Sequence, residues 1–216
     1  MVTLSVQKVR WYSPDIFELS LERGAYDFET GECAVLLDES GDSRPYSIAS
    51  APSEPVLRFV IRRLPEGAVS GWLSQRQPGD RIRVSPPFGE FRPQLADHPV
   101  VLIANGVGIA PFLSLLRQSE RVATHPVTCL YGVRTVQEAV ELPLLQRMTT
   151  LHLAVSREQT AEHFYGRVTA MMPNIQLSEG ASYYLCGSGS MLNEIARMLH
   201  ARGVPFSRIY TEVFFR

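Results

Sequence analysis

Val100-Val101-Leu102-Ile103-Ala104-Asn105-Gly106-Val107-Gly108-Ile109-Ala110-Pro111 is the stretch that decides the fold. Val100 to Ala104 is an unbroken apolar run, the pattern of a strand buried on both faces. Glycines at 106 and 108 follow at once, and Gly108 to Gln118 carries apolar residues at helical spacing. Pro111 falls in the first turn of that helix, where its missing N–H costs little. A strand, a glycine turn and a helix in this order let the backbone approach a bound group closely. The helix start then offers unpaired N–H groups and the positive end of the dipole to a phosphate. The spacing Gly-x-Gly-x-x-Pro is not the full dinucleotide fingerprint, so by itself it also fits a bare strand-to-helix turn.

Downstream, Val127 to Tyr131, Leu151 to Ser156, Tyr183 to Cys186 and Phe206 to Val213 read as further strands. Glu138 to Met148, Val168 to Met172 and Met191 to Arg202 read as helices. Strand–helix alternation of this kind predicts a parallel sheet covered on both faces. Upstream the texture is different. Leu4/Val6/Val9, Ile16/Leu19/Leu21, Cys33 to Leu37, Tyr46 to Ala49, Val56 to Ile61 and Ile82 to Val84 mark short strands. Turn formers separate them, such as Ser13-Pro14-Asp15 and Gln77-Pro78-Gly79-Asp80. Six short strands at this spacing predict a small antiparallel β-barrel, with one short helix over Ser70 to Arg76. The expected organisation is therefore two domains: a six-stranded antiparallel β-barrel over 1–96 and a Rossmann-like α/β parallel-sheet domain over 97–216.

Composition narrows the class. The 216 residues are 45% hydrophobic and 20% charged with a formal net charge of −1, so no global field attracts nucleic acid or an anionic membrane. Cys33, Cys129 and Cys186 are widely spaced, and this set alone builds neither a zinc site nor a four-thiolate iron–sulfur cluster. A sparse, odd set of cysteines fits a reducing cytoplasm. Met1 to Arg10 lacks the apolar core of a signal peptide, and no run is long enough to span a bilayer. The histidines at 98, 125, 152, 163 and 200 show no metal-ligand spacing. The expectation is a cytoplasmic protein with no metal, no nucleic-acid partner and no membrane insertion.

Candidate binding groups gather at predicted strand ends, where open α/β sheets bind ligands. Ser156-Arg157-Glu158 ends the third strand of the parallel sheet, and Arg167 follows nearby in sequence. Two guanidinium groups and a serine hydroxyl form a fork for a phosphate, although solvated loop arginines have the same signature. With the phosphate, the fork selects NADPH over NADH. Cys186-Gly187-Ser188-Gly189 ends the fourth strand, and its glycines again allow close approach. In the first half, Arg44-Pro45-Tyr46-Ser47 packs an arginine, an aromatic and a hydroxyl into four residues; alternation sets Arg44 and Tyr46 on one face and Ser47 on the other. Gly67-Ala68-Val69-Ser70 opens the short helix, where Ser70 either caps it or shares its start with a pyrophosphate.

Taken in order along the chain, these residues resemble the ferredoxin–NADP reductase superfamily, over nearly the whole length. Arg44-Pro45-Tyr46-Ser47 is similar to that family's flavin motif Arg-x-Tyr-Ser, and Gly67 to Ser70 to its Gly-x-x-Ser/Thr at the FAD pyrophosphate. Gly106 to Pro111 resembles the Gly-x-Gly-x-x-Pro of the nicotinamide site, Cys186-Gly187 its Cys-Gly, and Glu212-Val213-Phe214 its C-terminal Glu-x-aromatic segment. The resemblance implies that Tyr46 lies on the isoalloxazine, Ser47 bonds near N5 and Arg44 holds the pyrophosphate, with Phe214 and Phe215 beside the flavin and its adenine. It implies NADP(H) contacts from Gly106, Gly108, Pro111, Arg134, Ser156, Arg157, Tyr165, Arg167, Cys186, Gly187 and Met191. Ser47, Cys186 and Glu212 are the expected residues around the reacting atoms.

Among the departures from the family pattern, two lie at the glycine turn. Val107 takes the place of a hydroxyl residue between the glycines, and Asn105 that of a small or hydroxyl residue. The implied activity is hydride transfer from NADPH to bound FAD at a domain interface, then single electrons to a carrier such as ferredoxin or flavodoxin. Alternatives are an NAD(P)H:flavin reductase, a reductase component feeding an oxygenase, and a cofactor-sensing or electron-transfer subunit without turnover of its own.

Overall fold

The computed structural model describes residues 1–118 and 126–214. The chain separates into two compact units. One holds Met1–Arg92 together with Ala110–Gln118; the other holds Pro93–Ile109 and the described residues beyond 125.

The first unit contains β1 (Val2–Ser13), β2 (Ile16–Glu22), β3 (Cys33–Leu37), β4 (Ser43–Ser47), β5 (Val56–Arg62) and β6 (Arg81–Val84). They form one antiparallel sheet in the order β4-β3-β6-β1-β2-β5. The six expected strands are present, but the ladder does not close into a continuous barrel. Among the described residues the outer strands β4 and β5 meet through the single bridge Ile48–Phe59, with Ala49 N–H donating to Arg58 O at 2.8 Å. Two features stop the closure. Pro45 lacks a ladder donor in the middle of the five-residue β4, which suits an edge strand. After Ser50 the chain turns away at Ala51–Glu54, where Glu54 N–H donates to Ala51 O at 3.0 Å.

Phe17, Leu19, Leu21, Leu36, Ile48, Leu57, Phe59 and Ile61 fill the inside of this sheet at 0% exposure. Burial of each contributes about 1.5–3 kcal/mol. The helix α1 (Ala68–Ser74) adds Val69 and Leu73 to that core. The helix α2 (Ala110–Gln118) also packs in this unit, with Phe112 against Phe91 at 6.1 Å between ring centroids and Gln118 bonded to Thr30 at 2.7 Å. Strand β2 is accordingly buried on both faces, Glu18 and Ser20 included.

The second unit contains β7 (Val100–Asn105), β8 (Val127–Val133), β9 (Thr150–Val155), β10 (Phe164–Tyr165), β11 (Ser182–Gly187) and β12 (Ile209–Val213). All pair in parallel, in the order β10-β9-β8-β7-β11-β12. The chain builds outward from β7 to β10 on one side, then crosses back to place β11 on the other. The direction of the chain switches between β7 and β11, and the carboxyl ends at such a switch point are the ligand position in sheets of this kind. Helices α3 (Leu142–Met148), α4 (Val168–Met171) and α5 (Gly189–Ala201) complete the unit.

Local chemistry moved several boundaries. Gly106–Ile109 is a 3-10 turn with Gly106 at φ 54°, so α2 starts at Ala110 and not at Gly108. The helix expected over Glu138–Met148 is a 3-10 turn (Val136–Glu138) followed by α3, because Pro143 in the first turn of α3 cannot continue a preceding helix and Glu141 adopts φ 53°. The strand expected from Phe206 begins at Ile209, after a 3-10 turn set by Pro205. β4 covers Ser43–Ser47, starting earlier than the expected Tyr46. The two-residue β10 is too short to leave a periodic signal. Among the described residues no helix is long and apolar enough to cross a membrane.

Candidate functional site

In the first unit, β4 pairs with β3 so that Ser47 stands opposite Cys33 and Tyr46 opposite Ala34. The Arg44 guanidinium is exposed, donates to its neighbour's carbonyl, Ser43 O, at 2.6 Å, and has no carboxylate partner among the described residues. Tyr46 is half-buried against the core. Burial pushes its hydroxyl up to about 12, with the Arg44 charge pulling in the opposite direction. Ser47 is buried, and its Oγ lies 3.4 Å from Cys33 Sγ. Cys33 thus sits beside the expected flavin serine, a neighbour that only the strand register could have shown.

Helix α1 starts from Gly67 without a side-chain cap. Ser70 is not its cap: its Oγ accepts the Leu64 N–H at 3.1 Å and donates to Gly67 O at 3.4 Å, folding back on the preceding turn. A Cβ on Gly67 would stand 2.9 Å from Leu64 Cβ, so only glycine closes this turn. The first-turn N–H groups lack intrahelical partners by geometry. Val69 points into the core and offers its backbone alone. An uncapped helix start and a guanidinium without a carboxylate partner are donors that fit a pyrophosphate.

In the second unit, the expected nucleotide residues line the carboxyl edge of the parallel sheet. Ser156 N–H and Oγ both donate to Val133 O, at 3.0 and 3.1 Å, and Arg157 N–H donates to Arg134 O at 2.8 Å. These bonds tie the exits of β8 and β9 together. Tyr165 pairs with Val155, so Arg157 and Arg167 each lie two residues beyond that level on neighbouring strand exits. Both arginines are exposed and make no ion pair with a described residue. Glu158, between them in sequence, accepts the Val136 N–H at 2.9 Å. The Tyr165 ring is 58% exposed, available for stacking.

At the switch point, Cys186 pairs with Ala104 on one side and Glu212 on the other, and Phe214 N–H donates to Gly187 O at 2.9 Å. Asn105, Gly106, Cys186, Gly187, Glu212 and Phe214 therefore share one edge. The Cys186 side chain is fully buried and Glu212 is half-buried. Met191 is buried under Gly187. Pro111 is the second residue of α2, which belongs to the first unit. Phe215 lies outside the described residues.

Two of the glycines are also required by packing within the sheet. A Cβ on Gly108 would overlap the Cys186 carbonyl oxygen and stand 2.9 Å from Gly187 Cα, so its space belongs to β11. Gly187 has φ 149°, and a Cβ there would overlap Asn105 Oδ1. Asn105 itself clamps the next residue: Oδ1 accepts the Ser188 N–H and Nδ2 donates to Ser188 Oγ, both at 3.0 Å. Buried Tyr131 donates its hydroxyl to Gly106 O at 2.9 Å and holds the 3-10 turn. Neither Asn105 nor Tyr131 was among the expected site residues; the departure from a small residue at 105 was the one visible signal.

Residues 4–92 match the model of an oxidoreductase FAD-binding domain, and residues 102–197 that of an oxidoreductase NAD-binding domain. The chain thus joins an oxidoreductase FAD-binding domain to an oxidoreductase NAD-binding domain, and its structural neighbours include ferredoxin–NADP reductase-like flavoprotein reductases. It is similar to the toluate 1,2-dioxygenase electron transfer component of Pseudomonas putida, 28% identical over 97% of this chain and 66% of that protein. The cytochrome P450 reductase of Amycolatopsis superposes with a TM-score of 0.87 at 28% identity, over 98% of this chain and 69% of that one. A ferredoxin NADP+ reductase of Neisseria gonorrhoeae shares the fold with a TM-score of 0.87 at 21% identity, over 99% and 98% of the two chains. The chain spans between 48% and 66% of the length of the curated relatives it matches.

Proposed function

We propose that this chain is an NADPH-dependent flavin oxidoreductase that accepts hydride from NADPH and delivers electrons to a carrier protein. The observation that supports this best is the joining of an FAD-binding and an NAD-binding domain in one chain, each with its binding edge formed. FAD, when bound, supplies the hydride-accepting and single-electron-releasing chemistry. Arg44 and the uncapped start of α1 hold its pyrophosphate, Tyr46 covers the ring and the Ser47 hydroxyl donates toward N5 while accepting from the Cys33 thiol. Arg157 and Arg167 hold the 2′-phosphate of NADPH, with Arg134 beside them; Ser156 ties together the strand exits that carry them, and Tyr165 stacks on the adenine. The Gly106 turn receives the pyrophosphate. The backbone of Cys186–Gly187, held by Asn105 and Met191, forms the floor of the nicotinamide subsite. The fully buried Cys186 acts through that backbone, and Glu212 and Phe214 border the reacting atoms.

The physiological acceptor is a carrier protein or an oxygenase component, the second favoured by the likeness to a dioxygenase electron transfer component. The absence of any disulfide among Cys33, Cys129 and Cys186 supports a cytoplasmic setting. Turnover separates this reading from a cofactor-binding module. NADPH oxidation coupled to a one-electron dye is expected to proceed at rates typical of enzymes, about 1–10³ per second. Retained flavin with no dye reduction would assign the chain to binding without catalysis.

A further inference from the structure

We propose that Glu18 and Arg117 are positioning residues for the flavin-binding strand, acting through the backbone of Ala49; this rests on the assignment of FAD to Arg44–Ser47. Glu18 sits in the middle of β2 and is 2% exposed. Its Oε1 meets Arg58 Nη1 at 3.0 Å, and its Oε2 meets Arg117 Nη2 at 3.4 Å. The same Arg117 donates from Nη1 to Ala49 O at 2.7 Å. On the other side, Ala49 N–H donates to Arg58 O at 2.8 Å, and Arg58 N–H donates to Ser50 Oγ at 3.1 Å. Glu18 therefore holds the Arg117 guanidinium that binds the Ala49 C=O, while the Ala49 N–H is held by the main-chain carbonyl of Arg58, whose guanidinium Glu18 shares with Glu54.

The location gives this cluster its use. Ala49 lies two residues beyond Ser47, where β4 and β5 share one bridge in place of a ladder. Main-chain bonds hold the Ile48 and Ala49 N–H groups there, and the ions add the fixing of the Ala49 carbonyl. Burying a carboxylate is unfavourable unless its partners are well placed, and an apolar side chain would close the gap at lower cost. A buried ion cluster contributes direction more than net stability. Here the direction is that of the peptides leading out of Ser47, and hence of the hydroxyl and the Tyr46 ring just before them.

The test uses the full-length protein loaded with FAD. Two readouts are taken: FAD released on dilution, followed by recovery of flavin fluorescence, and visible circular dichroism of the bound flavin. Arg117→Met and Glu18→Gln are each expected to weaken FAD retention about tenfold, the scale of a lost charge-assisted bond. Both should change the flavin dichroism in the same sense. Arg117→Lys keeps the charge and reaches one acceptor instead of two, so an intermediate value is expected, and this mildest variant stands in if the others do not fold. Val6→Ala, a core lesion away from the cluster, should lower the unfolding temperature and leave both flavin readouts at wild-type values. Variants that release FAD no faster than Val6→Ala, with unchanged dichroism, would overturn the proposal. A wild-type protein that takes up no FAD would overturn the flavin assignment itself and the proposal with it.

Discussion

Replacing Arg157 and Arg167 together by alanine is expected to lower kcat/KM for NADPH by about 10²–10³ and to leave NADH within about twofold. Both guanidinium groups are exposed at strand exits and make no ion pair with a described residue. Glu158 is engaged with a backbone N–H, so it does not neutralise them. A hydrogen bond between charged groups contributes about 1.5–3 kcal/mol, and two such bonds to one phosphate are not fully additive. NADH carries no 2′-phosphate and gains nothing from the pair. Steady-state kinetics of the double variant with each nucleotide checks this. An equal fall for both would show that the arginines serve a part common to the two nucleotides, and no fall would return them to the solvated surface.

Gly108→Ala is expected to destabilise the second unit by about 3 kcal/mol, near the upper end of ordinary overpacking. A Cβ there would overlap the Cys186 carbonyl oxygen, with Cys186 C at 2.8 Å and Gly187 Cα at 2.9 Å. These are backbone atoms of β11, which is paired on both edges by β7 and β12 and has no free direction in which to move. Differential scanning calorimetry should show a fall of about 6–12 °C, at about 2–4 °C per kcal/mol for a protein of this size. Gly189→Ala is the control, since its Cβ would lie 3.8 Å from Val213 Cγ1, an ordinary contact. A Gly108→Ala protein that melts with the wild type would mean that β11 does not press on the 3-10 turn.

What the sequence displayed and what it hid follow from the range of the interactions involved. The apolar run at Val100–Ala104 announced a central parallel strand because burial on both faces leaves a local mark. Leu4, Val6 and Val9, spaced among polar residues, announced an antiparallel one, although the register shift between Val6 and Lys8 breaks strict alternation. Helix Glu138–Met148 was misjudged because its apolar spacing masked the break at Glu141 and Pro143. The open corner between β4 and β5 was invisible, since closure depends on two strands that meet across an intervening turn.

The site shows the same division. Arg44, Tyr46 and the glycines were legible as residue types, and their order along the chain carried the family. Their reasons were less legible. Gly108 and Gly187 read as places of close backbone approach, and the packing of β11 and Asn105 against their missing side chains was not legible. Arg117 and Glu18 are 99 residues apart, and Cys33 meets Ser47 only through strand register. No local pattern reports contacts of that kind.

The central claim is that one chain takes hydride from NADPH onto its own FAD. An anaerobic absorbance titration of the FAD-loaded protein, with NADPH and in parallel with NADH, tests it most directly. The flavin bands are expected to bleach rapidly with about one equivalent of NADPH and markedly more slowly with NADH, as the proposed phosphate fork requires. Flavin bands that persist under excess NADPH, in protein that holds its FAD, would contradict it.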